Sequence, residues 1–224
     1  MSSPVFSANY SEARVHFLDT ASQRGALVHS LVHPLTGSQG EALAMDVAIH
    51  GPIDAKRVLM TTSAVHGIEG FCGSAIQAGL LHELTVLPDV AVVHVHAVNP
   101  HGFSHVRRVN EDNVDLNRNF INFKQPLPHN EDYAQIHAQL LPKAWPPTSE
   151  QNTALDAQAQ IWGDRRMQRA ITSGQYQFSE GVWFGGFKPT WSHISFRHVL
   201  KTYLRHTTHI AWIDLHTGLG PYGH

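Results

Sequence analysis

The sequence predicts an α/β protein with a mixed, largely parallel central sheet and helices on both faces. "RVLMTTSAV" (57–65) and "DVAVVHVHAVNP" (89–100) are near-continuous apolar runs, the pattern of strands buried on both faces. "FCGSAIQAGLLHEL" between them has helical spacing, so the three segments form a βαβ unit whose strands run parallel. A late apolar run, "HIAWIDL", adds another buried strand.

The remaining elements follow in chain order. "SANYSEARVHFLDTASQRG" reads as a first helix. Ser7 or Asn9 can cap it, Ala13, Phe17 and Ala21 recur at i, i+4 and i+8, and Gly25 stops it. "ALVHSLVHP" reads as a strand ending at Pro34. "EALAMDVAIHG" alternates Leu43, Met45, Val47 and Ile49 on one face, and Gly51-Pro52 turns the chain. Beyond the second buried strand, residues 110–125 are polar, asparagine-rich and aperiodic, which predicts a long ordered loop. "NEDYAQIHAQLL" predicts a short helix and "PKAWPPT" a break. "SEQNTALDAQAQIWGDRRMQRAITSG" predicts one long helix with Leu155, Ala159, Trp162 and Ala170 inward. "GGFKPTWSHISFRHVLKTYLRH" predicts a linker and a helix capped near Ser192. "HIAWIDL" then ends in His216 and a glycine-rich turn. With no internal repeat or low-complexity tract, 1–224 reads as a single domain.

Composition narrows the function classes. A formal net charge of -2 gives no electrostatic case for nucleic acid or an anionic membrane. No apolar run is long enough to span a bilayer. "MSSPVFSANYSEAR" lacks the basic start and apolar stretch of a secretory signal, and the single cysteine, Cys72, fits a reducing compartment, so the expected location is cytoplasmic. Eighteen histidines turn attention to metal and proton chemistry.

Two candidate metal-binding patterns stand out. In "HGIEG", His66 and Glu69 follow a buried strand, and His216 follows another. Ligands gather at the carboxyl ends of strands in open α/β sheets, so these distant segments can serve one place. Two imidazoles and one carboxylate leave a fourth tetrahedral position of zinc open, as in catalytic sites. Gly67 and Gly70 are expected to supply backbone dihedrals that other residues resist. The rival pair is His94 and His96, at i and i+2 on one strand face. Their buried strand favours packed or hydrogen-bonded histidines instead. No phosphate loop, dinucleotide fingerprint or serine-nucleophile elbow is present.

The stretch "NPHGFSHVRRVNEDNVDLNRNF" makes the chain resemble the zinc carboxypeptidase superfamily. The order there is His-x-x-Glu, Asn-Pro-x-Gly, an arginine, Asp-x-Asn-Arg-Asn-Phe and a strand-end histidine. Here it reads His66 to Glu69, Asn99 to Gly102, Arg108, Asp115 to Phe120, and His216. The likeness runs from about Arg57 to the end and leans towards the branch with deacylases and peptide amidases. Within it, the chain resembles an uncharacterised bacterial group that shares "SEAR…FL", "HGIEGFCGS" and "WIDLHTGLGPYG". The resemblance implies one zinc ion on His66, Glu69 and His216. It implies that Asn117 and Arg118 bind a free carboxylate, that Arg108 stabilises the oxyanion, and that Asp115 orients its loop. The implied partner is a small molecule or short peptide with a free carboxylate, and the implied reaction is hydrolysis of a nearby amide. A non-catalytic metal- or carboxylate-binding module on the same scaffold is the alternative.

Two departures from the pattern follow. His101 stands where the Asn-Pro-x-Gly turn often carries an acid. The superfamily also places a general-base glutamate beyond the third ligand, and none follows His216. Glu12, Glu41, Glu83, Glu111, Glu131, Glu150 and Glu180 lie in segments that do not match it. The expectation is therefore a partial chain, with its ligands present and its general base beyond residue 224.

Overall fold

The computed structural model describes residues 6–85, 87–142 and 146–218. The chain divides into two compact units, Met1–Glu111 with Trp191–His224, and Asp112–Thr190.

The first unit holds the sheet. Helix α1 (Tyr10–Gln23) is capped by the Asn9 side chain, which accepts from Glu12 N, and it buries Ala13, Phe17 and Ala21. Gly25 ends it at φ 68°. Strand β1 (Leu27–Thr36) runs past Pro34, where the sequence predicts its end. It is an edge strand whose register shifts between Val32 and Thr36, and an edge or bulge tolerates the missing N–H of proline. In β2 (Ala42–His50) every residue from Leu43 to Ile49 is buried, so it is covered on both faces and not one. Strand β3 (Arg57–Thr62), helix α2 (Gly70–Glu83) and strand β4 (Val90–His96) form the predicted parallel βαβ unit. Cys72 is half-buried on α2. A five-residue helix, α3 (Pro100–Ser104), follows β4.

The second unit contains α4 (Leu116–Asn119), α5 (Glu131–Leu140), α6 (Ser149–Trp162) and α7 (Asp164–Thr172). The single long helix predicted from Ser149 is broken at Gly163, where φ is 74°. Leu155, Ala159 and Trp162 still pack, partly buried, against Ile136, Met167 and Ala170. Within this unit the "DLNRNF" segment is a helical turn and not plain loop, with Asp115 accepting from Asn117 N.

The chain then returns to the first unit as α8 (Trp191–Tyr203) and β5 (His209–Asp214). Strand order is β1-β2-β4-β3-β5. The β1–β2 and β2–β4 pairs are antiparallel, and β4–β3 and β3–β5 are parallel. Helices cover both faces. Phe17 of α1 stacks on His96, and Gln77 of α2 bonds Thr61, on one side. Phe196 of α8 packs on Trp212 on the other, since Trp212 pairs with Met60, the neighbour of Thr61 that points the opposite way. One expectation fails here. β5 is exposed along its length, with Ile210, Trp212 and Ile213 about half exposed. An apolar run records what a strand can bury, and β5 pairs only with β3 among the described residues. The glycine-rich turn predicted after it falls largely on residues 219–224, outside the described residues. Among the described residues no helix is long and apolar enough to cross a membrane.

Candidate metal centre

The site grows out of the parallel pairing of β3 with β5. Their register sets Thr62 opposite Asp214, so His66 and His216 leave the sheet at the same end. Past Thr62 the backbone turns sharply. Ala64 has φ 55°, and Ala97, past the end of β4, has φ 62°. A left-handed alanine costs roughly 1–2 kcal/mol, and both residues are fully buried, so a larger side chain has no room there.

The His66–Glu69 turn is held from behind by backbone. Gly67 N and Ile68 N donate to the carbonyls of Arg108 and Arg107 at 3.1 and 2.9 Å. Asn99 caps α3 through Gly102 N at 2.8 Å, and its amide donates to Arg108 O at 3.3 Å. The two glycines serve close approach, not dihedral freedom: neither has positive φ. A Cβ on Gly67 would lie 2.0 Å from the backbone carbon of Gly102, and one on Gly70 2.5 Å from the Phe103 ring.

The donor atoms converge. One ligand atom from each of His66, Glu69 and His216 lies within 4.8 Å of the other two, and this is the only such group among the described residues. His66 Nδ1 is 2.8 Å from Glu69 Oε1 and 3.3 Å from His216 Nδ1. His216 Nδ1 is 3.3 Å from Glu69 Oε2, which also accepts from Thr217 N at 2.6 Å. Ligands about 2.0–2.1 Å from a tetrahedral zinc ion lie about 3.3–3.4 Å apart, so the separations of His216 Nδ1 from His66 Nδ1 and from Glu69 Oε2 already suit one ion. The donor set of two imidazoles and a carboxylate suits it as well. His216 Nε2 is 2.6 Å from Asp214 Oδ2. That hydrogen bond raises the His216 pKa, burial opposes the rise, and the Asp214 and Glu69 charges add to it. Asp214 is the side chain of this candidate site that sequence reading missed. Its signal was available as the carboxylate two residues before a strand-end histidine.

Arg108 also arrives here, with Nη1 4.0 Å from Glu69 Oε1. Asn117 and Arg118 belong to the second unit. Arg118 donates to Thr172 O at 2.6 Å and to Asn117 O at 3.2 Å, while Tyr176 donates to its carbonyl. The rival pair is structural. His94 Nδ1 meets Thr61 Oγ1, and His96 Nε2 meets Ser74 Oγ, both at 2.8 Å. Burial pushes both histidines down to about 4.

A family model described as "Protein of unknown function (DUF2817)" matches residues 6–224. The chain belongs to this family. No curated protein matches the sequence of this DUF2817 member. Among solved structures it is similar to bovine thrombin-activatable fibrinolysis inhibitor in complex with tick carboxypeptidase inhibitor. There the identity is 14% and the TM-score 0.54, over 95% of this chain and 61% of that one. It also matches carboxypeptidase A from Helicoverpa armigera at 13% identity and a TM-score of 0.49, over 94% and 46%. A metallo-carboxypeptidase from Burkholderia cenocepacia matches at 20% identity and a TM-score of 0.35, over 48% and 32%. The match to the fibrinolysis-inhibitor structure shows a carboxypeptidase-like fold for the DUF2817 chain, and the chain spans about half the length of the first two structures named.

Proposed function

We propose that this protein is a zinc-dependent hydrolase that cleaves an amide bond near a free carboxylate, in a small peptide or an N-acyl amino acid. The observation that carries the reading is the convergence of His66, Glu69 and His216 at the carboxyl ends of two parallel strands. Zinc, when bound there, supplies Lewis-acid polarisation and an acidified water near neutral pH. Arg108 brings a guanidinium to the same place, suited to negative charge that develops on an attacked carbonyl oxygen. Asp214 holds the Nε2 side of His216, which leaves Nδ1 towards the cluster. Asn117 and Arg118 are assigned to the substrate carboxylate, because a guanidinium and a neighbouring amide offer it several donors.

The test loads the protein with zinc, measures metal content, and assays N-acyl amino acids and short peptides beside their esterified or amidated forms. One zinc per chain and turnover restricted to free-carboxylate substrates support the reading. Replacement of Arg118 by Ala then weakens free-carboxylate ligands far more than their amides. Zinc and carboxylate binding without turnover supports a binding module instead. Absence of zinc binding at His66, Glu69 and His216 rejects the zinc hydrolase and the metal-binding module alike.

A further inference from the structure

We infer that Thr62 and Trp212 are positioning residues that hold the Asp214 carboxylate against His216 Nε2 and so keep His216 Nδ1 available to the metal. The inference deepens the proposed zinc reading and rests on it. Its basis is a hydrogen-bonded chain with only one possible direction. The indole N–H of Trp212 donates to Thr62 Oγ1 at 3.1 Å. An indole nitrogen can only donate, so the hydroxyl accepts there. Thr62 carries one proton, and its other partner is Asp214 Oδ1 at 2.5 Å. A carboxylate can only accept, so the proton points at Asp214. The second carboxylate oxygen, Oδ2, lies 2.6 Å from His216 Nε2 and must receive a proton from it. Nε2 is therefore the protonated nitrogen. In the neutral ring Nδ1 keeps its lone pair, and Nδ1 is the atom that faces His66 and Glu69.

The chain links two strands as well as two functions. Thr62 is fully buried at the end of β3, while Trp212 and Asp214 lie on β5 in register with Met60 and Thr62. The β3–β5 pairing is thereby tied to the orientation of the third ligand. Loss of an outer-shell partner of a metal ligand typically weakens metal affinity about 10- to 100-fold.

The experiment has two readouts. Long-range ¹H–¹⁵N correlation on metal-free, ¹⁵N-labelled protein at alkaline pH reads the His216 tautomer, with its signals assigned by difference from His216→Gln. Chelator competition reads zinc affinity. The wild type and Thr62→Ser, which keeps the hydroxyl, should show the Nε2–H form and equal affinity. Thr62→Val should release Asp214 from its fixed orientation, so that both tautomers are populated, and should bind zinc about 10-fold more weakly, the lower end of what a ligand's direct partner is worth. Trp212→Phe should shift both readouts the same way by less. It also carries the test should Thr62→Val fail to fold, since Trp212 is half exposed and the substitution keeps an aromatic ring while it removes the N–H donor. An unchanged tautomer and unchanged affinity in both variants would overturn the inference. So would failure of Thr62→Ser to restore either readout. A wild type that binds no zinc sinks the metal reading alone, because the tautomer measurement needs no metal.

Discussion

Two histidine systems flank neighbouring threonines of β3, and they use the same hydroxyl chemistry to opposite ends. Thr61 and Thr62 point to opposite faces of the sheet. On the α1–α2 side, the Gln77 amide donates to Thr61 O, Thr61 Oγ1 and Val95 O. Because carbonyls only accept, that nitrogen is a donor, and His94 Nδ1 is the other partner of the buried Thr61 hydroxyl, so a fully used hydroxyl gives its proton to the ring. On the α8 side, the Thr62 proton goes to Asp214. One chain ends on an imidazole lone pair and uses it up. The other ends on a carboxylate, which takes the opposite imidazole N–H and frees Nδ1. The mid-strand histidine is thereby a core residue, and the strand-end histidine a ligand candidate. Residue type does not separate them; the acceptor at the end of the chain does.

The largest expected effect tests that division directly. Alanine at His66 or His216, or Gln at Glu69, should weaken zinc by more than the roughly 10- to 100-fold that an outer-shell partner is worth. Gln at His94 should leave zinc stoichiometry and affinity unchanged. Zinc titration of the four variants, each checked for folding by circular dichroism, decides it. Loss of zinc on His94→Gln alone would reverse the assignment.

The second effect is pH dependence. Burial holds His94 and His96 at about 4 in the folded chain, against about 6.5 unfolded. Between those values the unfolded state binds more protons. The contribution is therefore complete above about 6.5 and is lost as the pH falls towards 4. The shift corresponds to about 3 kcal/mol for each ring, as an upper figure. Urea denaturation from pH 7 down to pH 4 should show a steep loss, and His94→Gln should flatten it. An equally steep profile in that variant would show that other groups carry the acid sensitivity.

A third effect comes from the backbone behind the strand-end pair. Gly67→Ala puts a methyl 2.0 Å from the Gly102 backbone, so the turn must move. Overpacking of this kind costs about 1–3 kcal/mol, and here it displaces the candidate ligands His66 and Glu69 on either side. Melting temperature and zinc affinity should both fall. A neutral substitution would mean that the close approach is not needed.

This glycine also marks the limit of what sequence could show. The strand–helix–strand unit, the α1 cap at Asn9 and the convergence of His66, Glu69 and His216 were legible, because each rests on local periodicity or on a rule about strand ends. The role of Gly67 was not, since its clash partner, Gly102, lies on another element. The exposure of β5 and the passage of β1 beyond Pro34 were hidden for the same reason. Both depend on which strands lie at the sheet edge, and hydrophobic runs do not encode edge position. The break at Gly163 could have been read from the glycine, but the apolar spacing continues across it and hides the interruption.

The smallest effect separates the neighbouring threonines. Thr61→Val keeps the shape of a fully buried side chain and removes its hydroxyl. His94 Nδ1 loses its donor, while the Gln77 amide keeps the carbonyls of Thr61 and Val95. One buried acceptor is left unsatisfied, which costs about 1–3 kcal/mol. The lower end is expected, because the glutamine retains two of its bonds. Zinc affinity should not change, since the Thr61 side chain faces away from Asp214. Thr62→Val should show the reverse, a marked loss of affinity, and the two single variants thus form a cross-control one residue apart. Equal effects of both on zinc would mean that β3 acts on the site as a whole strand. The two hydroxyls would then not be separate devices, and the comparison built on them would fail.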